Sequence, residues 1–264
     1  MDLPSPGSLS LGVPLESVVT TLLVMLRITT WLVIAPPFSH RAIPARVKAL
    51  LALALSLAVA PGLDSSEVSL DAGPLVAAAS QQVLVGGALG FVCYLVFAAV
   101  QAAGDLLDVF GGFQVAAAFD PQMQTQGAIF GKFYQFTALV LLFASDGHLV
   151  VLHGLHRSFA VLGVDEVLSL EVMARVVTEG TTQLLVASLQ IAGPLIAVLF
   201  LTDVGLGLLT RVAPSLNAFA LGFPLKIFIT LSLAGTAVAL LPQLVDSLAQ
   251  DAALQALATA GADR

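Results

Sequence analysis

Charges punctuate this chain so rarely that most of it reads as continuous apolar runs. Val18–Ala35 is the first run, interrupted by Arg27, and Val47–Leu63 is the second. Asp71 and Asp105 enclose 33 uncharged residues, with Leu75–Val100 the strongest stretch among them. Gly127–Ser145 follows, with Lys132 near its start. Glu179 and Asp203 enclose 23 uncharged residues, and Lys226 and Asp246 enclose 19. A helix needs roughly 20 apolar residues to cross hydrocarbon about 30 Å thick, so six segments have spanning length. Leu149–Leu162 is shorter and holds His153, His156 and Arg157, which marks an amphipathic or partly exposed seventh. The runs are rich in Leu and Ala and lack the alternation of a membrane barrel. The pattern predicts an all-α, polytopic membrane-protein-like bundle of about six long helices plus a shorter one.

Glycine and proline sit inside these runs: Gly86, Gly87 and Gly90 in the third, Gly193-Pro194 in the fifth, Gly235 and Pro242 in the sixth. Proline removes a helical hydrogen bond, so several helices are expected to be kinked or broken. Freed backbone groups cannot face lipid, and a lone bundle of this size could hardly shield them all. The chain is therefore expected to pack in a hetero-oligomer. Gly86-x-x-x-Gly90 also permits close helix approach.

Composition sharpens the class. Hydrophobic residues make up 58% and charged residues 10%, with mean hydropathy +0.99. A soluble domain carries roughly 25% charge, so a soluble enzyme is excluded, and disorder fails on the same numbers. A net charge of −7 argues against a nucleic-acid partner. The single cysteine, Cys93, lies in an apolar run and reads as a small buried hydrophobe. Residues 1–17 hold no Lys or Arg, so no cleavable signal peptide is expected. The first loop carries Arg41, Arg46 and Lys48, whereas the second carries Asp64, Glu67 and Asp71. The positive-inside rule puts the first in the cytoplasm and the second outside.

The most informative stretch is QAAGDLLDVFGGFQVAAAFDPQ, residues 101–122. Gly111-Gly112 should stop a helix, and Asp120-Pro121 marks a turn. Between them Phe113, Val115, three alanines and Phe119 are apolar. An irregular apolar segment must pack inside protein or close a cavity. Two readings stand level: a loop buried under neighbouring helices, or a hydrophobic constriction in which Phe110, Phe113 and Phe119 exclude water. Gly104, Asp105, Asp108, Asp120 and Pro121 bound the segment. Asp105 and Asp108 share a helix face, as the polar end of the third helix or as a cation-attracting ring.

Four stretches resemble one family, in order along the chain: SHRAIPARVKALLALALSLAVAP at 39–61, GALGFVCYLVFAAVQAAGDLLDVFGGFQVAAAFDP at 87–121, LLFASDGHLVVL at 141–152 and LGLLTRVAPSLNAFALGFPLK at 206–226. They resemble the flagellar biosynthesis protein FliR family, with virulence type III secretion counterparts as more distant relatives. The resemblance implies a non-enzymatic core subunit of the flagellar type III export gate, in the bacterial cell membrane at the flagellar basal body. It implies FliP, FliQ and FlhB as partners, unfolded flagellar subunits as export substrates, and no cofactor. It divides the chain into a FliP-like part, residues 1–177, and a FliQ-like hairpin and tail, residues 178–264. It also implies a plug loop at about 104–122, favouring Phe110, Gly111, Gly112, Phe113 and Phe119 as the pore plug. In such gates apolar helices pack largely on partner subunits, and the complex is raised from the bilayer plane.

Other residues carry weaker expectations. Arg27 inside the first run is expected to pair, to snorkel or to line the export path. Arg27, Arg41, Arg46, Lys48, Arg211, Pro214 and Asn217 are candidate subunit contacts, and Asp203 and Arg211 are candidates for pairing across a turn. His148, His153 and His156 have no carboxylate at ligand spacing, so no metal site is expected; Asp146-Gly147-His148 reads as a turn. HExxH, GxSxG and phosphate-binding loops are absent from the sequence. The rival reading is a secondary transporter or small-molecule channel, which calls for symmetric intramembrane charge pairs.

Overall fold

The computed structural model describes residues 14–63, 69–114, 129–164, 169–215 and 221–234. Among these residues the chain is all helical, in seven α-helices. They are α1 (Leu15–Ile34), α2 (Ala45–Val59, continued by a 3-10 turn over Ala60–Gly62), α3 (Ala72–Phe110), α4 (Ile129–Ala144), α5 (Gly147–Val161), α6 (Leu170–Val212) and α7 (Leu221–Ala234). Helix α1 ends ahead of Pro36, because proline pushes the residue before it out of helical geometry; Ala35 is extended at ψ 125°. Helix α3 is the axis of the packing, with α1, α4 and α6 against it and α2 on α1. The core draws Val24, Ile28, Trp31 and Leu32 from α1, Leu89 and Leu107 from α3, and Tyr134, Ala138 and Leu142 from α4. Cys93 is buried among them, as its apolar run suggested.

Two expected breaks are not breaks. Helix α3 runs unbroken through Gly86, Gly87 and Gly90, and α6 through Gly193-Pro194. At Gly86 and Gly90 the reason is close approach. A methyl at Gly86 would overlap the Arg27 carbonyl oxygen, and one at Gly90 would stand 3.0 Å from Ile34 Cβ and 3.3 Å from the Trp31 oxygen. The two glycines let α1 lie backbone to backbone on α3, a gain that exceeds their cost in helix propensity of about 1 kcal/mol each. The sharp bend falls instead at Ser145-Asp146, where α4 and α5 diverge by 78°. Asp146 adopts the left-handed conformation at φ 57°, which Asp tolerates better than most residues. Residues 235–264, with Gly235, Pro242 and Asp246, lie outside the described residues.

Among the described residues, four helices are long and apolar enough to span a membrane: α1, α2 with its 3-10 end, α3 and α6. The bent pair α4–α5 makes a fifth if it counts as one broken span. Of the six segments of spanning length in the sequence, the fourth forms α4, which has 16 residues, and the sixth runs past Ala234, outside the described residues. Helices α3 and α6 have 39 and 43 residues, which at 1.5 Å per residue makes them about 58 and 64 Å long. Hydrocarbon is only about 30 Å thick, so each is roughly twice the length a crossing requires. The apolar window of α3 is 61% buried within the chain and that of α6 only 22%. Lipid of ordinary thickness cannot cover all of α6.

Candidate functional site: the end of α3 and its turn

The last two turns of α3 meet the start of α4. Gly104 makes this possible, since a methyl there would overlap the Phe130 carbonyl oxygen and stand 2.7 Å from Gly131 Cα. One turn further on, Asp108 is fully buried. Its Oδ2 accepts hydrogen bonds from the backbone N–H of Phe130 at 2.9 Å and of Gly131 at 3.1 Å. First-turn amides have no acceptor within their own helix, and a carboxylate there also meets the positive end of the helix dipole. Asp108 is thus a cap supplied to α4 by another helix. Asp105 lies on the same face, as its spacing predicted, and is only partly buried. Replacing Asp108 by Ala should cost about 1–3 kcal/mol, read as a lowered thermal unfolding midpoint in detergent. Asp108→Asn keeps an acceptor oxygen and should lose less.

Helix α3 stops where the glycine pair said it should. The Gly111 N–H donates to the Leu107 carbonyl at 2.8 Å, and Gly112 turns the chain with φ +83°. Both glycines are buried against α7. A methyl at Gly111 would stand 2.8 Å from Thr230 Oγ1, and one at Gly112 3.0 Å from the Phe223 ring. Phe113 is half-buried and meets Phe130 edge-on, ring centroids 5.1 Å apart. Phe110, on the last turn of α3, is 40% exposed. The two rings flanking the turn therefore face different surroundings: Phe113 is anchored on α4, and Phe110 is presented outward. Phe119, Asp120 and Pro121 lie outside the described residues.

The structure brings Gly104, Asp108, Gly111, Gly112 and Phe113 into one junction of α3, α4 and α7. Sequence reasoning did not find Phe130, Gly131, Phe223 or Thr230 as its other half, and no short-range pattern marks them. The remaining candidates lie elsewhere. Arg41 and Arg46 are exposed and Lys48 is partly exposed around the α1–α2 connection. Arg211 and Pro214 are exposed at the end of α6, and Asn217 lies outside the described residues. Asp203 does not pair with Arg211. Residues 203–212 are helical, and Asp203 instead meets Lys226 of α7 at 2.7 Å. Arg27 is 0% exposed and bonded by its own chain. An internal place replaces its expected contact with a neighbouring subunit.

Residues 18–252 match the family described as bacterial export proteins, family 1. The chain is 32% identical over 213 residues to flagellar biosynthetic protein FliR of Bacillus subtilis, covering 79% of this chain and 82% of that one. It is 33% identical over 211 residues to FliR of Escherichia coli, covering 79% and 80%. Against Yop proteins translocation protein T of Yersinia pestis it is 28% identical over 175 residues, covering 65% and 67%. An all-helical chain with at least four apolar helices of spanning length, matched over most of its length, belongs to the FliR family of bacterial export proteins.

Proposed function

We propose that the chain is a core subunit of the flagellar type III protein export gate, a membrane assembly at the flagellar basal body, and that the end of α3 seals its channel. The observation that carries the seal is the contrast at the α3 turn: a buried two-glycine turn holds Phe113 inward on Phe130 and leaves Phe110 exposed. A ring presented at the end of a rigid helix suits a constriction that excludes water. The glycine pair supplies backbone freedom for the following residues to move aside when a chain passes.

Helix dimensions support membership of a larger assembly. Two apolar helices about twice the hydrocarbon thickness need protein cover beyond the bilayer. On α6, Leu185, Leu189, Phe200, Leu201 and Leu208 are exposed, and nothing within 4 Å faces the methyl positions of Gly193, Gly205 and Gly207. FliP-, FliQ- and FlhB-like subunits are the proposed cover. Unfolded flagellar subunits are the proposed cargo, and membrane lipid surrounds the rest. We read residues 1–177 as the FliP-like part and 178–264 as the FliQ-like part. The boundary then falls inside the continuous helix α6, so one rigid rod joins the two. The role is structural and needs no enzymatic step.

The test is resting ion leakage of the assembled gate in cells or vesicles. Phe110→Ser should raise leakage with assembly intact. Losing about 2 kcal/mol of apolar contact favours the open state by roughly thirtyfold. Phe113→Ser should leak too, at some cost in stability from the lost Phe130 contact. Leakage equal to the parent for both variants would remove the seal from this turn.

A further inference from the structure

Arg27 is fully buried, and its partners come from far along the chain. Its Nε donates to Gln82 Oε1 of α3 at 2.7 Å. One terminal nitrogen donates to the Leu162 carbonyl at 3.0 Å and to the Ser158 carbonyl at 3.3 Å; the other donates to the Gly163 carbonyl at 2.9 Å. The guanidinium carbon stands 4.3 Å from the centroid of the Phe159 ring. Gln82 turns its own amide nitrogen to the Val164 carbonyl at 2.9 Å. The carbonyls of a helix's last turn have no partner within the helix and favour a cation beside them. Two side chains, from α1 and α3, thus hold the end of α5 and the three residues after it.

Val151, Leu155 and Phe159 of α5, with Leu162 and Val164 after it, are also buried in the core that α1 and α3 share, and the polar contacts add direction to that packing. Among the described helices, close backbone packing links α1 to α3, α3 to α4 and α3 to α6, whereas α5 packs in this way mainly on α4. Helix α6 begins a few residues beyond the held segment, where Ser169 Oγ accepts from the Val172 N–H. Residues 162–164 are thus the last described residues before Ser169 and α6, whose body packs on α3.

We propose that Arg27, together with Gln82, is the positioning residue of the α5–α6 junction, a polar latch that sets the start of α6 against α1 and α3. A guanidinium suits the task because its planar fork of donors reaches carbonyls in several directions at once. A lysine keeps the charge but offers a single nitrogen. The latch is a property of the single chain and does not depend on the seal proposed above.

The native Cys93, 3% exposed on α3, and Val164, 4% exposed at the junction, provide the test. In the full chain, co-produced with the other gate subunits in membranes, Val164→Cys adds a second buried thiol. A small maleimide should modify both thiols slowly. With Arg27→Lys added, the thiol at position 164 should react at least about tenfold faster, the factor for losing one hydrogen bond to a charged group, while Cys93 stays protected. Gln82→Met should show the same selective change to a smaller degree, and it carries the test alone if the lysine variant does not accumulate. Equal acceleration at both thiols would reveal general loosening of the bundle and overturn a positioning role. No acceleration at position 164 would overturn the latch itself.

Discussion

Replacing Gly104 with leucine is expected to part α4 from α3 and lower the yield of folded protein sharply. The position has no room for even a methyl, which would overlap the Phe130 carbonyl. The obstacle is backbone, so no side chain can rotate away and the helices themselves must separate. Overpacking of this kind costs roughly 3 kcal/mol. Separation also pulls Phe130 and Gly131 from Asp108, whose carboxylate is then left buried with fewer partners. Gly104→Ala should show the same change at smaller size. The measurement is the thermal unfolding midpoint in detergent, paired with crosslinking between cysteines placed on α3 and α4.

The second large effect belongs to Gly86. Leucine there should drive α1 off α3, since any Cβ would overlap the Arg27 carbonyl. The cost is again roughly 3 kcal/mol. Here the displaced residue is Arg27, so its bonds to Gln82 and to the end of α5 should loosen with the helix. The neighbouring position is a built-in control. A methyl at Gly87 would meet only Thr30 Cγ2 at 3.8 Å and Ile34 Cδ1 at 3.9 Å, ordinary contact distances. Gly87→Ala should therefore be neutral or stabilising by up to about 1 kcal/mol, the gain in helix propensity. Equal unfolding midpoints for Gly86→Leu and Gly87→Ala would refute the close-approach account. Gly86 and Gly104 lie about 27 Å apart along α3, so their effects should add.

These residues also show what a sequence discloses and what it hides. Helix class was legible because uncharged runs of this length have few other homes. The stop at Gly111-Gly112 and the turn at Asp146 were legible because their chemistry is local: a glycine at φ +83° and an aspartate at φ 57°. Gly86 and Gly90 were legible as a close-approach motif, yet the same residues were also read as interruptions. Lipid-facing glycine weakens a helix, whereas glycine under a crossing helix lets it form, and only the neighbour decides which applies. Arg27 gave three readings because its partners lie 55 to 136 residues away. Asp108 was read as a polar helix end because the amides it caps, those of Phe130 and Gly131, lie 22 and 23 residues further along the chain. Asp203 was matched to Arg211 by proximity in sequence, while the fold presents Lys226 to it.

The fold puts the candidate seal at a junction of three helices rather than on a free loop, and this shapes how it works. Phe113 is tied to α4, Gly111 and Gly112 are wedged on α7, and Phe110 is left outward at the end of α3 beside the exposed Val109. A helix about 58 Å long then acts as the rod that carries the ring. In the proposed gate, opening would move the residues beyond the glycine pair and leave α3 in place. The most direct measurement is the structure of the fully assembled gate, resolved well enough to place the two phenylalanine rings against its central axis. The account predicts Phe110 and the segment after Gly112 turned toward that axis, narrowing the passage. Both rings on the outer, water-exposed side of the assembly would contradict it.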